Sequence, residues 1–416
     1  MPREIVRFGR VQCQALDLAP LRPAAWRFAA GLPRGRSPSD RVQGLAPDLA
    51  VAAVSQVADR VAALAEERVL SRRELNRALL ARQLLLARRT LPVQRAVERL
   101  CALQAQYSPS PYIALWSRLP DFRKDALTRA LERRQVVRAT LMRITLHLVS
   151  ASDYRYFAAV WMPATQEMTP RVTAQLLAEL SARVQALATD PTTHAEIEAV
   201  AAEAMGGRWR TRCLAPMIQL APAGTWRFHG RPQLQVMQAY LGVDLPSRED
   251  GAERLVRSYL AAFGPATQTD LLRFAGMRAG DVRPGLERVD LRRFRDESGR
   301  VLLDLPRGPL PDPDTTVPVR FLPKWDHALL AYDDRTRILP KELQPTVIRK
   351  NGDVLPTFIV DGVVAGMWDI ERKRDRATLV LQPFAPLPRK AKGELRAEGE
   401  RLVRWIEDDA TSFAVR

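Results

Sequence analysis

The sequence predicts an α+β protein, with tandem winged-helix (helix-turn-helix) domains followed by a β-rich C-terminal subdomain. Three consecutive stretches, 70–152, 153–250 and 251–312, each carry helical patterns that lead into strand-like patterns, which is the element order of that domain type. Strand and turn signals then dominate residues 313–416. A chain of 416 residues that is 46% hydrophobic is long enough to bury several cores.

The first segment, residues 1–69, differs from the rest of the chain. It carries scattered prolines and arginines without a sustained hydrophobic period. We therefore expect it to be disordered, or to be a spurious N-terminal extension with Val69 as the true first residue. Ordered sequence begins directly after it, because Ser71 and Glu74 form a capping box that starts a helix.

The first predicted domain, 70–152, ends in a strand with two chemically different faces. Its predicted elements are helices at 71–89 and 92–104, a proline loop at 109–111, a helix at 124–134 and a strand at 140–149. Alternate residues of this strand are apolar, so Arg143, Thr145 and His147 share the opposite face. That polar face is either solvated or turned towards a ligand, and the pattern favours neither.

Gln104 and Gln106 are the most informative residues of this domain. Gln104 occupies the next position of an apolar helical stripe, where an unmatched amide would destabilise the fold. The stripe consists of Val93, Val97 and Leu100. Pro109 and Pro111 are expected to prevent further helix. Either the two amides cap the free carbonyls of the helix end, or the backbone unwinds and lets both face one point.

The third predicted domain, 251–312, shows the clearest helix boundaries. A helix at 253–263 ends at Gly264-Pro265, and Thr267 with Asp270 caps the next helix. A further helix near 281–288 and a strand at 301–305 complete the pattern. This order is typical of a helix-turn-helix unit.

The C-terminal subdomain, 313–416, is predicted to form a small antiparallel sheet or barrel. The dipeptides Asn351-Gly352 and Asp361-Gly362 separate apolar runs and are strong hairpin signals. The predicted strands are 317–322, 346–349, 354–360, 363–370 and 378–381, followed by a helix at 392–406.

The composition points to an acidic partner. Lys and Arg number 64 against 47 Asp and Glu, a net charge of +17. Nucleic acid is the commonest partner of such a surface, and an inert basic surface is the alternative. The three cysteines and four histidines are scattered without metal-ligand spacing, so we expect neither a metal nor a cofactor. The lack of a long apolar run predicts no membrane span and a cytoplasmic protein.

Several motifs resemble, in order, those of the winged-helix family of AlkZ-like DNA glycosylases. The resemblance covers roughly residues 70–410. Six short stretches carry it, namely 75–86, 103–119, 145–149, 263–267, 333–340 and 351–358. Each motif alone is weak, whereas six in sequence order are specific. The segment before residue 70 departs from the family pattern.

This resemblance implies three tandem winged helices and a β-rich part, C-shaped around a basic DNA channel. It also implies excision of N-alkylated purines from double-stranded DNA and unhooking of interstrand crosslinks. The catalytic glutamine-x-glutamine motif of the family corresponds to Gln104 and Gln106, whereas a related branch carries aspartate at the second position. We further expect a monomer associated with the nucleoid.

The DNA-contacting residues are expected on two segments. On the polar strand face they are Arg143, Thr145 and His147. Arg335 and Arg337 are phosphate-binding candidates, although the adjacent Asp333 and Asp334 favour an internal ion network at least as strongly.

The residue types of the motif agree with a hydrolytic reaction. Amide carbonyls can hold a water molecule and present negative dipole ends to a cationic sugar. The partial negative charge of the preceding helix end is expected to act at the same point. The alternatives are a winged-helix DNA-binding regulator and a non-catalytic DNA-binding protein, because a fold alone does not define a function.

Overall fold

The computed structural model describes residues 67–168 and 172–416. The predictions for residues 1–66 therefore lie outside the described residues. Residues 67–70 are part of the fold, since Val69–Leu70 pairs in parallel with a strand near Arg295. Within the two described ranges, no helix has the length and apolar character needed to cross a membrane.

The first region, up to residue 150, contains short helices and strands. Its elements are β1 (Val69–Leu70), α1 (Arg72–Arg82), α2 (Val93–Arg99), β2 (Leu103–Gln104), α3 (Pro109–Arg118), α4 (Lys124–Glu132), β3 (Val136–Leu141) and β4 (Thr145–Ser150). The predicted capping box is confirmed, because Ser71 and Glu74 exchange hydrogen bonds at the start of α1. Helix α1 is shorter than predicted, because Leu84 adopts a left-handed φ of 58° directly after it.

The predicted helix at 92–104 is wrong in its second half. Helix α2 ends at Arg99, and Cys101 and Ala102 then adopt left-handed φ values of 53° and 69°. This pair reverses the chain and allows Leu103 and Gln104 to pair with β4 as a strand. Neither Cys nor Ala favours that conformation, so no local signal in the sequence marked the break.

The predicted proline loop is also wrong, because helix α3 begins at Pro109. Pro109 occupies the first helical position and Pro111 lies within the same turn. The N–H groups of a first turn have no partner within the helix, so proline loses nothing there, and its fixed φ suits the helix. These prolines start a helix rather than prevent one.

The predicted single strand at 140–149 is a hairpin. Strand β3 ends at Leu141, and Arg143 and Ile144 form a tight turn with φ values of 59° and 55°. Strand β4 then returns antiparallel to β3, with Leu141 opposite Thr145. The alternation that predicted one strand therefore belongs to a turn and to the second strand.

The middle region adds helices and strands to the same sheet. Its elements are α5 (Ala151–Glu167), α6 (Ala174–Leu187), β5 (Thr192–Thr193), α7 (His194–Ala201), β6 (Met217–Gln219), β7 (Gln233–Val236) and α8 (Met237–Leu241). The strands form one six-stranded sheet in the order β2-β4-β3-β6-β7-β5. This sheet spans the predicted boundary at 152/153, and the domain boundaries stay a prediction.

The third region follows the predicted order. It contains α9 (Arg248–Phe263), α10 (Gln268–Ala275), α11 (Ala279–Arg288), β8 (Arg292–Asp296) and β9 (Val301–Asp304). The capping box of Thr267 and Asp270 is confirmed at the start of α10. Strands β8 and β9 form an antiparallel hairpin, and β1 pairs along the edge of β8. The winged-helix assignment itself stays a prediction.

The C-terminal region is a five-stranded sheet packed against a long helix. Its elements are β10 (Arg320–Leu322), α12 (His327–Leu330), α13 (Gln344–Val347), β11 (Thr357–Val360), β12 (Val363–Lys373), β13 (Arg376–Pro383), α14 (Arg389–Ile406) and β14 (Ser412–Val415). The hairpin at Asp361-Gly362 is confirmed between β11 and β12. The strand predicted at 346–349 is wrong, because α13 occupies its first half. The α+β class is confirmed.

Helix α3 connects the first region to the C-terminal sheet. Tyr112 and Trp116 pack in one core with Phe321 and Phe358 of that sheet. At the end of α3, Arg118 forms a buried bidentate ion pair with Asp326, with N–O distances of 2.8 and 2.9 Å. The segment that carries Gln104 and Gln106 is therefore followed by a helix anchored in the C-terminal region.

Candidate active site

The segment from Gln104 to Gln106 is not helical, because Gln104 ends strand β2 and Gln106 follows at a bend. Gln104 lies opposite His147 in the β2–β4 ladder, and the Ala105 N–H continues the pairing by donating to the Leu146 carbonyl at 2.7 Å. A continuing helix would have pointed side chains two residues apart about 200° away from each other. The strand pairing at Gln104 and Ala105 removes that constraint.

Both glutamine amides contact the turn between β3 and β4. Arg143 Nη2 donates to Gln104 Oε1 at 3.3 Å, and the Leu146 N–H donates to Gln106 Oε1 at 3.1 Å. A carbonyl oxygen has two lone pairs, so each amide oxygen retains capacity for one further donor. Gln104 is 7% exposed and Gln106 is half-buried. The motif is thus accessible mainly through Gln106.

Neither the helix-capping alternative nor the helix dipole applies to this motif. Helix α2 ends at Arg99, and its cap hydrogen bonds come from backbone N–H groups. The motif is followed by the N-terminus of α3, whose dipole end is positive. The expected partial negative charge of a helix end beside the glutamines is therefore wrong, because a strand and not a helix carries Gln104.

Arg143 is held over the motif by the tip of the β3–β4 hairpin. Its guanidinium donates to the Phe274 carbonyl and lies 5.2 Å from the centre of the Phe274 ring. Burial, followed by the charge of Arg335, lowers the pKa of Arg143 to about 10. Within the described residues Arg143 forms no ion pair with a carboxylate. An anion placed here would relieve this charge.

His147 is not at the surface, so a direct contact of its side chain with DNA is wrong. It is fully buried, and its Nδ1 donates to the Thr145 carbonyl at 2.9 Å. Its ring packs against His327, with the ring centres 5.4 Å apart. Burial and the charge of Arg143 lower the pKa of His147 to about 3, so the ring is neutral at pH 7. Thr145 is half-buried and donates to the Met142 carbonyl at 3.1 Å.

The two arginines of the second predicted segment have different surroundings. Arg337 is 7% exposed, donates to the Pro265 carbonyl at 3.0 Å and stacks on Tyr332. A phosphate contact by Arg337 is therefore wrong. Arg335 is half-buried and pairs with no carboxylate of the described residues.

The expected internal ion network exists, but it leaves Arg335 out. Asp333 pairs with Arg273 at 2.8 Å, and Asp334 pairs with Arg300 at 2.9 Å. Asp333 and Asp334 pair with other arginines, so neither carboxylate neutralises the Arg335 guanidinium by a direct ion pair. Arg335 is therefore available to bind an external anion. The charge of Arg335 also lowers the pKa of Arg143, so the two guanidinium groups act in the same region.

Sequence reasoning missed Arg138, which lies on β3 directly beside the motif. Its Nε and Nη2 donate to the Ala105 carbonyl at 3.2 and 2.8 Å, and its Nη1 donates to Gln219 Oε1 at 2.8 Å. An arginine inside the buried run of β3 was the available signal. Such a residue requires specific partners, and here its partner is the central residue of the motif.

Comparison with known proteins identifies the type of enzyme. The family described as DNA glycosylase AlkZ-like matches residues 97–405. The chain is therefore a DNA glycosylase, a hydrolase that acts on N-glycosyl bonds, and its partner is DNA. The match spans well over half of the 416 residues. The chain belongs to the AlkZ-like DNA glycosylase family.

Two relatives support this assignment. An interstrand DNA cross-link repair glycosylase from Streptomyces sahachiroi is 24% identical over 359 residues, which cover 78% of this chain and 93% of the relative. The solved structure of Streptomyces sahachiroi DNA glycosylase AlkZ gives a TM-score of 0.68 at 19% identity, covering 84% of this chain and 99% of that chain. At this level of identity the second comparison shows a shared fold.

Proposed function

We propose that this enzyme hydrolyses the N-glycosidic bond of N7-alkylated purines in DNA, using a water molecule held by Gln104 and Gln106. The observation that carries the proposal is that both motif amide oxygens bind the same β3–β4 hairpin, Gln104 through Arg143 and Gln106 through the Leu146 N–H, each with one hydrogen bond from the protein. Each oxygen then has capacity to accept a bond from the same water molecule.

The proposed reaction needs little acid–base catalysis. An N7-alkylated purine is cationic and leaves as a neutral base, so no protonation is required. The sugar develops oxocarbenium character, which the negative ends of two amide dipoles stabilise. Amides are not strong bases, and their contribution is to position the water molecule for attack on C1′. Because the motif holds no amine, we expect hydrolysis without a Schiff base, which makes the enzyme monofunctional.

A neutral lesion is expected to react slowly at the same site. His147 lies beside Gln104 in the ladder, but its pKa of about 3 leaves it without a proton to donate at pH 7. Within the described residues, the oxygens of the two motif amides accept hydrogen bonds from Arg143 and from the Leu146 backbone, and neither group is a general acid at that pH. The arrangement therefore favours bases that are already charged.

Arg143 and Arg335 are proposed to bind the DNA backbone beside the lesion, with Thr145 close by. A cation next to a developing oxocarbenium ion would oppose the reaction unless an anion accompanied it. Phosphate supplies that anion, and a half-buried guanidinium binds it strongly. This placement supports the expected basic DNA channel, around which the tandem winged helices would be arranged in a C-shape.

Interstrand crosslinks are proposed as further substrates. The relative from Streptomyces sahachiroi is named for the repair of such crosslinks. A crosslinked base cannot rotate freely into a closed pocket, so its excision needs a site open to solvent, in contrast to the usual base flipping. The half-buried Gln106 is compatible with such a site. The monomeric state and the association with the nucleoid stay predictions.

The test uses duplex DNA that contains N7-methylguanine, with release of free base and alkali-labile abasic sites as readouts. Gln104→Ala and Gln106→Ala should each lower the single-turnover rate roughly 10- to 1000-fold, the range for loss of positioning or of one electrostatic contact. DNA affinity should change little. Gln235→Ala, which removes a half-buried glutamine on β7 that donates to the Thr189 carbonyl, is the matched control and should keep the full rate.

Two results would contradict the proposal. If both motif variants excised the base at the wild-type rate, the two glutamines would not be the catalytic pair. If the wild-type protein released neutral uracil as fast as N7-methylguanine, the dependence on a cationic leaving base would be excluded.

A further inference from the structure

We propose that Arg138 is a positioning residue that fixes Gln106 through the backbone carbonyl of Ala105. This inference rests on the proposed role of Gln106. The Arg138 guanidinium donates to the Ala105 carbonyl and to Gln219, and not to either motif glutamine. It acts on the peptide group that links the two halves of the motif.

The contacts of Arg138 converge on that one peptide group. Two N–H groups on one edge of the guanidinium, Nε and Nη2, reach the Ala105 oxygen at 3.2 and 2.8 Å. The other terminal nitrogen donates to Gln219 Oε1 at 2.8 Å, which fixes the plane of the guanidinium. Only a planar group with several fixed donors can hold a carbonyl and an amide in this way.

Gln104 and Gln106 differ in what holds their backbones. Gln104 is the last residue of β2 and is fixed by pairing with His147. Gln106 lies beyond the strand. The Ala105 N–H is bonded to Leu146 at 2.7 Å, so the Ala105 carbonyl is the next group along the chain that can anchor it. Arg138 supplies that anchor, and the Gln106 side chain then meets the Leu146 N–H.

The setting of Arg138 is energetically unfavourable for a cation, which argues against a general stabilising role. Arg138 is 7% exposed and pairs with no carboxylate in the described ranges. Burial, then the charge of Arg212, lowers its pKa to about 10. An apolar residue of similar volume would pack here without that penalty. The gain from arginine is therefore geometric.

The neighbouring loop is shaped to accept the arginine stem. Gly224 has a φ of +87°, and a Cβ added there would lie 2.8 Å from Arg138 Cδ. A side chain at position 224 would push the guanidinium away from the Ala105 carbonyl. Gly224 and Gln219 thus hold Arg138 in one orientation.

The first test measures the peptide group directly and needs no activity. The sequence contains two Ala-Gln pairs, Ala105-Gln106 and Ala174-Gln175. Labelling with ¹³C-carbonyl alanine and ¹⁵N-glutamine therefore gives two amide signals in a carbonyl-filtered NMR spectrum. In Arg138→Met and Arg138→Lys the Gln106 signal should shift or broaden, whereas the Gln175 signal on α6 should stay unchanged.

The second test is a double-mutant cycle on the single-turnover excision of N7-methylguanine. Arg138→Met should lower the rate about 10-fold or more, with unchanged DNA affinity, because displacement of a positioning group by about 1 Å has effects of this size. In a Gln104→Ala background that loss should persist. In a Gln106→Ala background it should shrink to less than about twofold, since Arg138 acts through Gln106.

The control is Arg320→Met, which removes another buried arginine whose pKa burial also lowers to about 10. It lies on β10, outside the sheet that carries the motif, and should leave the excision rate unchanged. If Arg138→Met does not fold, Arg138→Lys serves in both tests, and the expected signs are the same.

Two results would overturn the inference. One is an unperturbed Gln106 amide signal in the Arg138 variants, and this result does not depend on whether the enzyme excises the base. The other is an equal loss of rate in the Gln104→Ala and Gln106→Ala backgrounds, which would indicate a general structural role. Absence of base release by the wild-type protein would instead refute the proposed function, while the NMR measurement would still decide the role of Arg138.

Discussion

The arginines of the scaffold and those of the motif are buried in different ways. In the scaffold, Arg82 and Arg118 meet Asp304 and Asp326 in bidentate pairs, with all four side chains buried. Beside the motif, Arg138 and Arg143 donate to backbone carbonyls and glutamine oxygens. The scaffold arginines are neutralised by buried carboxylates, whereas Arg138 and Arg143 pair with no carboxylate of the described residues. This difference separates arginines that stabilise the fold from arginines for which we propose a role at the site.

The largest effect on stability is expected when a buried ion pair of the scaffold loses one partner. Arg118→Met should lower the free energy of unfolding by about 3–5 kcal/mol, because it leaves the Asp326 carboxylate buried and unpaired. Urea denaturation at pH 7 measures this change. Arg118→Met combined with Asp326→Asn should recover part of the loss. If the single and double variants had the same free energy of unfolding, the unpaired Asp326 charge would not be the cause of the loss.

Acid should weaken the fold through the buried histidines that pack beside the motif. The pKa of His147 is lowered to about 3, chiefly by burial, and that of His327 is also well below its ordinary value, by burial and the nearby His147. Between those values and about 6.5 the unfolded chain binds protons that the folded chain does not, so stability rises with pH. Each histidine should contribute a slope of about 1.4 kcal/mol per pH unit in that window.

Urea denaturation from pH 7 down to pH 5 measures the slope. His147→Gln should reduce the slope of the unfolding free energy against pH by about 1.4 kcal/mol per pH unit, because glutamine does not titrate. A slope that is the same in wild type and variant would mean that His147 is protonated in the folded protein.

Removal of Arg143, which has no carboxylate partner among the described residues, should weaken DNA binding. Arg143→Gln should lower the affinity for duplex DNA about tenfold at physiological salt. The slope of log affinity against log salt should fall by about 0.9 if one phosphate contact is lost. Fluorescence anisotropy at several salt concentrations gives both values. An unchanged slope would place Arg143 outside the DNA interface.

The smallest effects are expected from substitutions of Arg335 and Arg337. These neighbours differ, because Arg335 has no carboxylate partner among the described residues and Arg337 is buried and bonded within the fold. Arg335→Gln should weaken DNA binding several-fold and reduce the salt slope by up to about 0.9. Arg337→Gln should leave the salt slope unchanged and lower stability by about 1–2 kcal/mol, because it removes a buried bond to Pro265 and the stacking on Tyr332. The reverse pattern would exchange their roles.

Local signals in the sequence were sufficient where the interactions are local. The capping boxes of Ser71 with Glu74 and of Thr267 with Asp270 join residues three apart, and both are present. The Asp361-Gly362 turn needs only its own backbone preferences. The short family motifs also predicted the family, which the family match over residues 97–405 confirms.

The errors cluster around the motif, where distant residues decide the conformation. Helical periodicity extended the predicted helix to Gln104, but pairing with β4 forces the chain into a strand after Cys101 and Ala102. His147 looked like a surface residue of an alternating strand. It is covered by His327, from a segment 180 positions later in the chain.

The sequence by itself determined the α+β class, the family and the pair of glutamines, because these depend on residue types and short spacings. Tertiary structure alone decided that both amides bind the β3–β4 hairpin and that Arg138 binds the Ala105 carbonyl between them. It also decided that Arg337 is buried, whereas Arg335 pairs with no carboxylate of the described residues. The physical reason is that hydrogen-bond geometry and burial depend on strand pairing and packing between segments far apart in the chain. Periodicity within one segment carries no information about such partners.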